Sequence, residues 1–562
     1  MDTLNHILKS APEIALFASL FLGCTIGKLK FRSFSLGGVA GSLIVALVIG
    51  QLDVTLPDAL KAVCFALFIY AVGFKSGPEF FGGLNRSSFK LVISSVVQCL
   101  AALIALLAIA RICGFGKGFA AGIGAGALTA TAMMGTAGDA LTRLGLSPDQ
   151  LNLLTSEMAV GFAITYVFGT VGVIIFVRSV APRLLGVDVK KAARELEAEL
   201  SEGGEVTRPG YITPFVPVVA RAFEVEKGKA ANLTVAGLTN RFERASVERI
   251  LRNGDVVEPA PGVVLRTGDI VGLAGKLGSV VAAGELIGAE VESKEALSFS
   301  MEVSTVVVTN KNVIGKKLRK IRDDIGMKNL EGVYLVSFKR QGLPVPVHPN
   351  IVVRRGDVVE LAGRPGEVER VAAMVGHPES SGGKSDLAYH ALAIVVGILL
   401  GLMSVRVGGI PVTLGVGGGV LVSGLCFGWL HTRYPVFGAM PQAAQWILSE
   451  FGLSAFAAVI GLSAGSKAVA AIQQQGVALL IAGAVVTIIP MVVALYFGRF
   501  VLKLNPVVLL GALAGGQTVA AALNAVNEET ESMTPVLGFT VTYAISNVLL
   551  AVFGPVIVAL NP

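Results

Sequence analysis

Residues 22–52, LGCTIGKLKFRSFSLGGVAGSLIVALVIGQL, align without a gap with residues 400–430, LGLMSVRVGGIPVTLGVGGGVLVSGLCFGWL. Gly23 falls on Gly401, Leu36 and Gly37 on Leu414 and Gly415, Gly41 on Gly419, and Gly50 on Gly428. Shorter matches follow in the same order. VGFKSGP (72–78) pairs with IGLSAGS (460–466), GIGAGALTATAMM (122–134) with GALAGGQTVAAAL (511–523), and GFAITY (161–166) with GFTVTY (538–543). Any one of these is weak, but four in one order define an internal repeat.

The repeat lies in apolar sequence. Of the 562 residues, 53% are hydrophobic and 15% charged, against about 25% charged in soluble domains. Mean hydropathy is +0.72. The apolar excess falls in two blocks, roughly 10–180 and 386–560, and most of the charge lies between them. The 68 glycines suit close helix packing in a membrane. Spans of about 20 residues are expected near 11–28, 35–52, 58–76, 88–113 and 158–178, then 387–405, 411–430, 448–466, 474–502 and 534–559. Segments 118–140 and 507–527 are too rich in Gly, Ala and Thr to face lipid, and read as re-entrant or broken helices.

The expected fold is a polytopic α-helical membrane protein. It has two inverted repeats of five transmembrane helices and one re-entrant or broken helix each, because an odd number of crossings turns the second half over. The parts are an N-terminal transmembrane repeat at 1–182, a charged linker at 183–205, two small α+β domains at 206–292 and 293–385, and a C-terminal transmembrane repeat at 386–562. With the insert in the cytosol, the loops carrying Lys28, Lys30, Arg32, Arg86 and Lys90 are cytosolic, while Lys117 and Arg143 fall on the other side. The first apolar run has no A-x-A cleavage site and is read as retained.

The insert repeats internally: GVVLRTGDIVGLAGKLGSVVAAGELIG (262–288) aligns with NIVVRRGDVVELAGRPGEVERVAAMVG (350–376). Arg266, Gly268 and Asp269 pair with Arg354, Gly356 and Asp357, and each Gly-Asp suits a hairpin turn better than a ligand contact. The pattern resembles two copies of the C-terminal domain of regulators of potassium conductance (RCK).

That layout, with GFKSGPEFF at 73–81 and the paired Gly/Thr segments, resembles the aspartate–alanine exchanger family of bacterial secondary transporters. The resemblance covers nearly the whole chain. It implies a homodimeric antiporter in the bacterial inner membrane, with cytoplasmic central domains and an elevator-like motion. Its substrate would be a small anionic amino acid or carboxylate: aspartate against alanine, or dicarboxylates such as succinate.

A half-helix N-terminus at the bilayer midplane, with free N–H groups and a partial positive charge, suits a carboxylate, and the two odd segments are expected to supply it. Gly126, Ala127, Leu128, Thr129 and Thr131 form one expected tip, and Gly515, Gly516, Gln517 and Thr518 the other. Taken singly, each segment would read as close helix packing; the pairing favours binding. Lys75, whose repeat partner is the neutral Ser463, either snorkels to the interface or faces the cavity and neutralises a carboxylate. Asn547, Tyr166 and Tyr543 are candidates for the same cavity, and Asp139, Glu157 and Glu450 for an amine partner or ion coupling.

Other classes fit less well. Cys24, Cys64, Cys99, Cys113 and Cys426 have no CxxC spacing, and the five histidines lack i+3 or i+4 ligand partners, so neither disulfides, metal nor cofactor is expected. The net charge of +7 contains no Lys/Arg-rich run, which argues against nucleic acid. GIGAG and GVGGG follow no strand and are not dinucleotide fingerprints. No TVGYG-like filter supports a potassium channel, and no catalytic triad or HExxH an enzyme. A regulatory ligand on the soluble pair stays open.

Overall fold

The computed structural model describes all residues except 1–7, 29, 32–33, 36, 55, 84–87, 202–217, 243–244, 300–301, 326–329, 331–332, 341, 365, 379–383, 408–409, 414, 435 and 562. Arg32, Arg86, the matched Leu36 and Leu414, and the start of the first expected soluble domain therefore lie outside the described residues. The chain divides into two compact units, Met1–Glu197 with Gly382–Pro562, and Ala198–Ser381.

The first unit is helical. Its first block runs α1 (Pro12–Lys28), a short hairpin β1 (Lys30–Phe31) and β2 (Phe34–Ser35), α2 (Gly38–Ile49), α3 (Asp58–Gly83), α4 (Phe89–Cys113), α5 (Lys117–Ala127), α6 (Thr131–Thr142) and α7 (Pro148–Val167). Helix α7 continues through wide π-type turns at Phe168–Gly172 and Phe176–Val180. The linker helix α8 (Val189–Ser201) closes the block.

The second unit holds two antiparallel sheets. One orders its strands β3 (Val218–Glu224), β6 (Ile270–Lys276), β4 (Ala245–Arg252) and β5 (Asp255–Val257). Helices α9 (Val235–Arg241) and α10 (Leu277–Ile287) accompany it. The other orders β11 (Gly376–Pro378), β7 (Glu302–Val308), β10 (Val358–Gly363), β8 (Val333–Arg340) and β9 (Leu343–Pro344), with α11 (Leu318–Ile325) and α12 (Glu367–Val375). The two Gly-Asp turns are built alike. Asp269 accepts from the Arg266 N–H at 2.8 Å and from the Arg252 guanidinium, and Asp357 from the Arg354 N–H at 2.7 Å and the Arg340 guanidinium. Both carboxylates are thus spent inside the fold. Burial raises the Asp269 pKa, but the Arg252 pair and the Arg266 N–H outweigh it and hold the carboxyl below its usual range. The sheets join through Arg364, which donates to Glu248 at 2.7 Å, and Tyr334, which donates to the Ala274 carbonyl at 3.0 Å.

The second helical block repeats the order of the first: α13 (Leu387–Leu402), a hairpin β12 (Ser404–Val407) and β13 (Ile410–Thr413), α14 (Gly415–Arg433), α15 (Gln442–Tyr496), α16 (Pro506–Gly516), α17 (Ala520–Thr530) and α18 (Val536–Leu560). The apolar spans expected at 448–466 and 474–502 are present as Gln442–Gly465 and Ala468–Val501, but one continuous helix, α15, of 55 residues, about 82 Å long, carries both. The connecting KAVAAIQ at 467–473 contains no Gly or Pro, so nothing ends the helix there. Pro490 sits inside it without terminating it. The spans expected at 35–52 and 387–405 are corrected to shorter helices of 12 and 16 residues: the first begins only after Gly37, φ 84°, and tightens into a 3-10 turn at Gly50–Leu52, and the second stops just before β12.

Among the described residues six helical stretches are long and apolar enough to cross a membrane: Ala59–Gly82, Phe89–Cys113, Pro148–Leu185, Gln442–Gly465, Ala468–Val501 and Val536–Leu560. The chain is a polytopic membrane protein. Helix α15 packs along α2, α3, α4 and α7, and so joins much of the first block to the second.

Candidate functional site

The two odd segments are helices broken once each, and the breaks face one another. Helix α5 ends in a Schellman turn: the Thr129 N–H bonds the Gly126 carbonyl at 3.0 Å and the Ala130 N–H bonds that of Ala125 at 2.8 Å. Helix α16 ends the same way, Thr518 N–H to Gly515 at 2.9 Å and Val519 N–H to Ala514 at 3.1 Å. Such turns need one left-handed residue, usually Gly. Here the position is held by Thr129, φ 50°, and Thr518, φ 57°. A β-branched residue in that region is strained by about 1–2 kcal/mol.

What offsets the strain is reciprocal. The Thr129 hydroxyl donates to the Gln517 carbonyl at 2.8 Å, and the Thr518 hydroxyl to the Leu128 carbonyl at 3.2 Å. The two hydroxyls stand 3.1 Å apart. Each threonine therefore caps an orphan carbonyl at the end of the other broken helix. Glycine could adopt the turn but could not make this contact.

Neighbouring helices hold the ends. The Thr487 hydroxyl donates to the Ala127 carbonyl at 3.0 Å, Gln517 Nε2 to the Thr487 carbonyl at 3.3 Å, and Gln98 Nε2 to the Leu513 carbonyl at 3.2 Å. A Cβ on Gly126 would lie 2.2 Å from Thr165 Oγ1, and one on Gly515 would lie 2.1 Å from Thr542 Oγ1. Both glycines are required by close approach. Thr165 and Thr542 are themselves repeat partners in GFAITY and GFTVTY.

Gly126, Ala127, Leu128, Gly515, Gly516 and Gln517 thus sit at helix C-terminal ends and not at the N-termini expected for them, with Thr129 and Thr518 on the turns, because each Gly/Thr run closes the helix before it in a Schellman turn. The N-termini belong to α6, which starts at the buried Thr131, and α17, which starts at the exposed Ala520 and Ala521. Each break presents a C-terminus and an N-terminus, hence partial charges of both signs.

Other candidates lie elsewhere. Lys75 is exposed on α3, with no hydrogen bond to either break, while Gly73 and Gly77 of the same helix pack on α14. Asn547 donates to its own helix at the Tyr543 carbonyl, 2.9 Å away. Tyr166 and Tyr543 pack on Phe162 and Phe539, ring centroids 5.2 and 5.1 Å apart. Asp139 accepts from the Gly417 N–H at 2.9 Å, tying α6 to α14. Glu157 and Glu450 make no hydrogen bond to either break. Sequence reasoning missed Gln98 and Thr487. Their signal was the match of VVQ (96–98) to VVT (485–487), at the same offset that relates Thr129 to Thr518.

Residues 15–182 and 389–559, which contain both breaks, match a family described as Predicted Permease Membrane Region (Asp-Al_Ex). The chain belongs to this permease family. Similar proteins include an uncharacterized transporter of Zymomonas mobilis subsp. mobilis, 39% identical over the full length of both chains. One from Bradyrhizobium diazoefficiens is 42% identical over 100% of this chain and 99% of its own. One from Shewanella oneidensis is 34% identical over 99% of each. No solved structure matches the chain. In this permease, then, the match falls on the two helical blocks, and both broken helices are part of the matched membrane region.

Proposed function

We propose that this permease is a secondary antiporter of small carboxylates, exchanging aspartate for alanine across the bacterial inner membrane. The observation that carries this reading is the pair of facing breaks. Irregular backbone inside a membrane survives where protein or a solute cavity surrounds it, and helix ends there attract charged groups. The carboxylate goes to the N-terminal starts of α6 and α17. The family's Asp-Al_Ex designation supports the choice of aspartate and alanine.

The halves are read as inverted repeats. Helix α5 packs on α7 of its own block but α6 packs on α18 of the other. Likewise α16 packs on α18 while α17 packs on the extension of α7. A two-fold axis between the halves produces such an exchange. The soluble unit is read as a cytoplasmic pair of RCK-like domains.

Proteoliposomes loaded with alanine or aspartate test the substrate by counterflow of labelled aspartate. The expected result is uptake that depends on internal alanine or aspartate. Absence of such counterflow overturns the assignment, and uptake of succinate alone moves it to dicarboxylates.

A further inference from the structure

The interlocked breaks gather oxygen atoms. The Thr129 hydroxyl lies 2.8 Å from Gln517 O and 3.1 Å from the Thr518 hydroxyl. The Thr518 hydroxyl in turn lies 3.2 Å from Leu128 O and 3.5 Å from Thr129 O. Five oxygens from two chain segments thus form one connected cluster. The two threonines contribute just two hydroxyl protons to it. Both α5 and α16 end at this point, so the negative ends of two helix dipoles converge on it.

A separate observation concerns the adjoining side chain. Gln517 is 1% exposed, and its Nε2 is used on Thr487. Its Oε1 is buried without a hydrogen-bond partner. Leaving a buried amide oxygen unpaired is costly, so a partner for it stabilises the fold. Here it belongs to the residue whose carbonyl is already part of the cluster.

We propose that this oxygen cluster is a binding site for an alkali cation, sodium, between the two breaks. The donor set is neutral oxygen throughout, which suits a hard monovalent ion, and the ion would supply the positive charge that two converging C-termini favour. Neighbouring oxygens 2.8–3.5 Å apart are close enough for one small ion to meet several of them at once. Leu128 O, Thr129 O, Gln517 O, Gln517 Oε1 and the two hydroxyls are the ligand set. The ion would satisfy the amide oxygen and lock the turns that also place the N-termini of α6 and α17. The proposal rests on the reading of the breaks as the transport site, with the cation beside the carboxylate.

The test uses purified full-length protein without any carboxylate. Melting midpoints are measured in sodium, potassium and choline chloride at equal ionic strength, beside saturable binding of ²²Na⁺. Sodium is expected to raise the midpoint by several degrees above the other two salts. Thr518→Val should remove that increment and weaken ²²Na⁺ binding by about tenfold or more, one ligand's worth. Thr518→Ser, which keeps the hydroxyl, should retain both. Gln517→Leu, which leaves the turn residues untouched, should also lower ²²Na⁺ affinity if Thr518→Val does not fold. Equal midpoints in the three salts with no saturable ²²Na⁺ binding overturn the proposal. Because no carboxylate is present, that failure is separate from a failed aspartate counterflow.

Discussion

The two breaks share one turn, one strained threonine and one close-packed glycine, yet the arms that follow them are held differently. Helix α6 is buried over its first seven residues, Thr131–Ala137, and is tied to its surroundings by Asp139 on the Gly417 N–H and by the Thr136 hydroxyl on the Ala551 carbonyl at 2.6 Å. Helix α17 starts exposed at Ala520 and Ala521, and its far end is held by charges. Arg178 pairs with Glu529 at 3.1 Å, Lys190 with Glu531 at 2.6 Å, and Ser532 donates to Glu197 at 2.5 Å. Carboxylates at a helix C-terminus oppose the dipole, so α17 depends on the basic groups brought by the first block. The lesson is that the tips are built to be alike while the arms are not. Both arms bury a face, α17 through Ala522, Leu523, Val526 and Thr530, but only α17 starts exposed and is also clasped by ion pairs from the first block.

The likeness of the tips is the easiest to break. Gly126→Val and Gly515→Val should each place side-chain atoms against a threonine hydroxyl and cost about 1–3 kcal/mol or more. Thermal melting of the two variants should show similar losses, and a large loss at one site alone would end the equivalence. Thr129→Val and Thr518→Val each remove one cross-break hydrogen bond, worth about 1 kcal/mol, and leave a buried carbonyl unpaired. In a double-mutant cycle the pair should couple by about 0.5–3 kcal/mol, and strict additivity would mean that the hydroxyls do not interact.

The difference between the arms gives smaller effects. Asp139→Asn weakens the anchor of α6 on α14 and should destabilise the protein by about 1 kcal/mol, read as a lower melting midpoint. Lys190→Ala on the α17 clasp should leave the midpoint nearly unchanged, since both groups are solvent-accessible. The clasp should nevertheless respond to pH. The hydrogen bond and charge of Lys190 hold Glu531 below its ordinary carboxyl range. A depressed carboxylate contributes at pH above its unfolded value and loses that contribution as pH falls through its folded value. Proteolysis near 529–532 should therefore rise on acidification in the wild type. In Lys190→Ala it should be higher already at neutral pH. An identical pH profile in both would remove the clasp from the account.

Much of this was legible in the sequence because the repeat is legible. Gly126 on Gly515 and Thr129 on Thr518 come from one ungapped match, and composition separates the helical blocks from the soluble insert. What did not follow was polarity and continuity. A Gly/Ala/Thr run marks a break without showing which helix end carries each residue, because a Schellman turn with Thr in place of Gly has no distinctive sequence. The joining of two spans into α15 depends on the absence of a breaker over 467–473, a weak local signal. Arg252 and Arg340, the partners of the two Gly-Asp turns, sit on β4 and β8, 17 residues before their aspartates, and only the folded sheet brings them together.

Transport through the interlocked breaks is tested by counterflow of labelled aspartate in proteoliposomes containing wild type, Thr129→Val, Thr518→Val and the double variant, with equal reconstitution confirmed for each. Exchange is expected to fall by about tenfold or more in each single variant and to be recovered in large part by Thr→Ser at the same position. Exchange at the wild-type rate in the correctly folded double variant would contradict it.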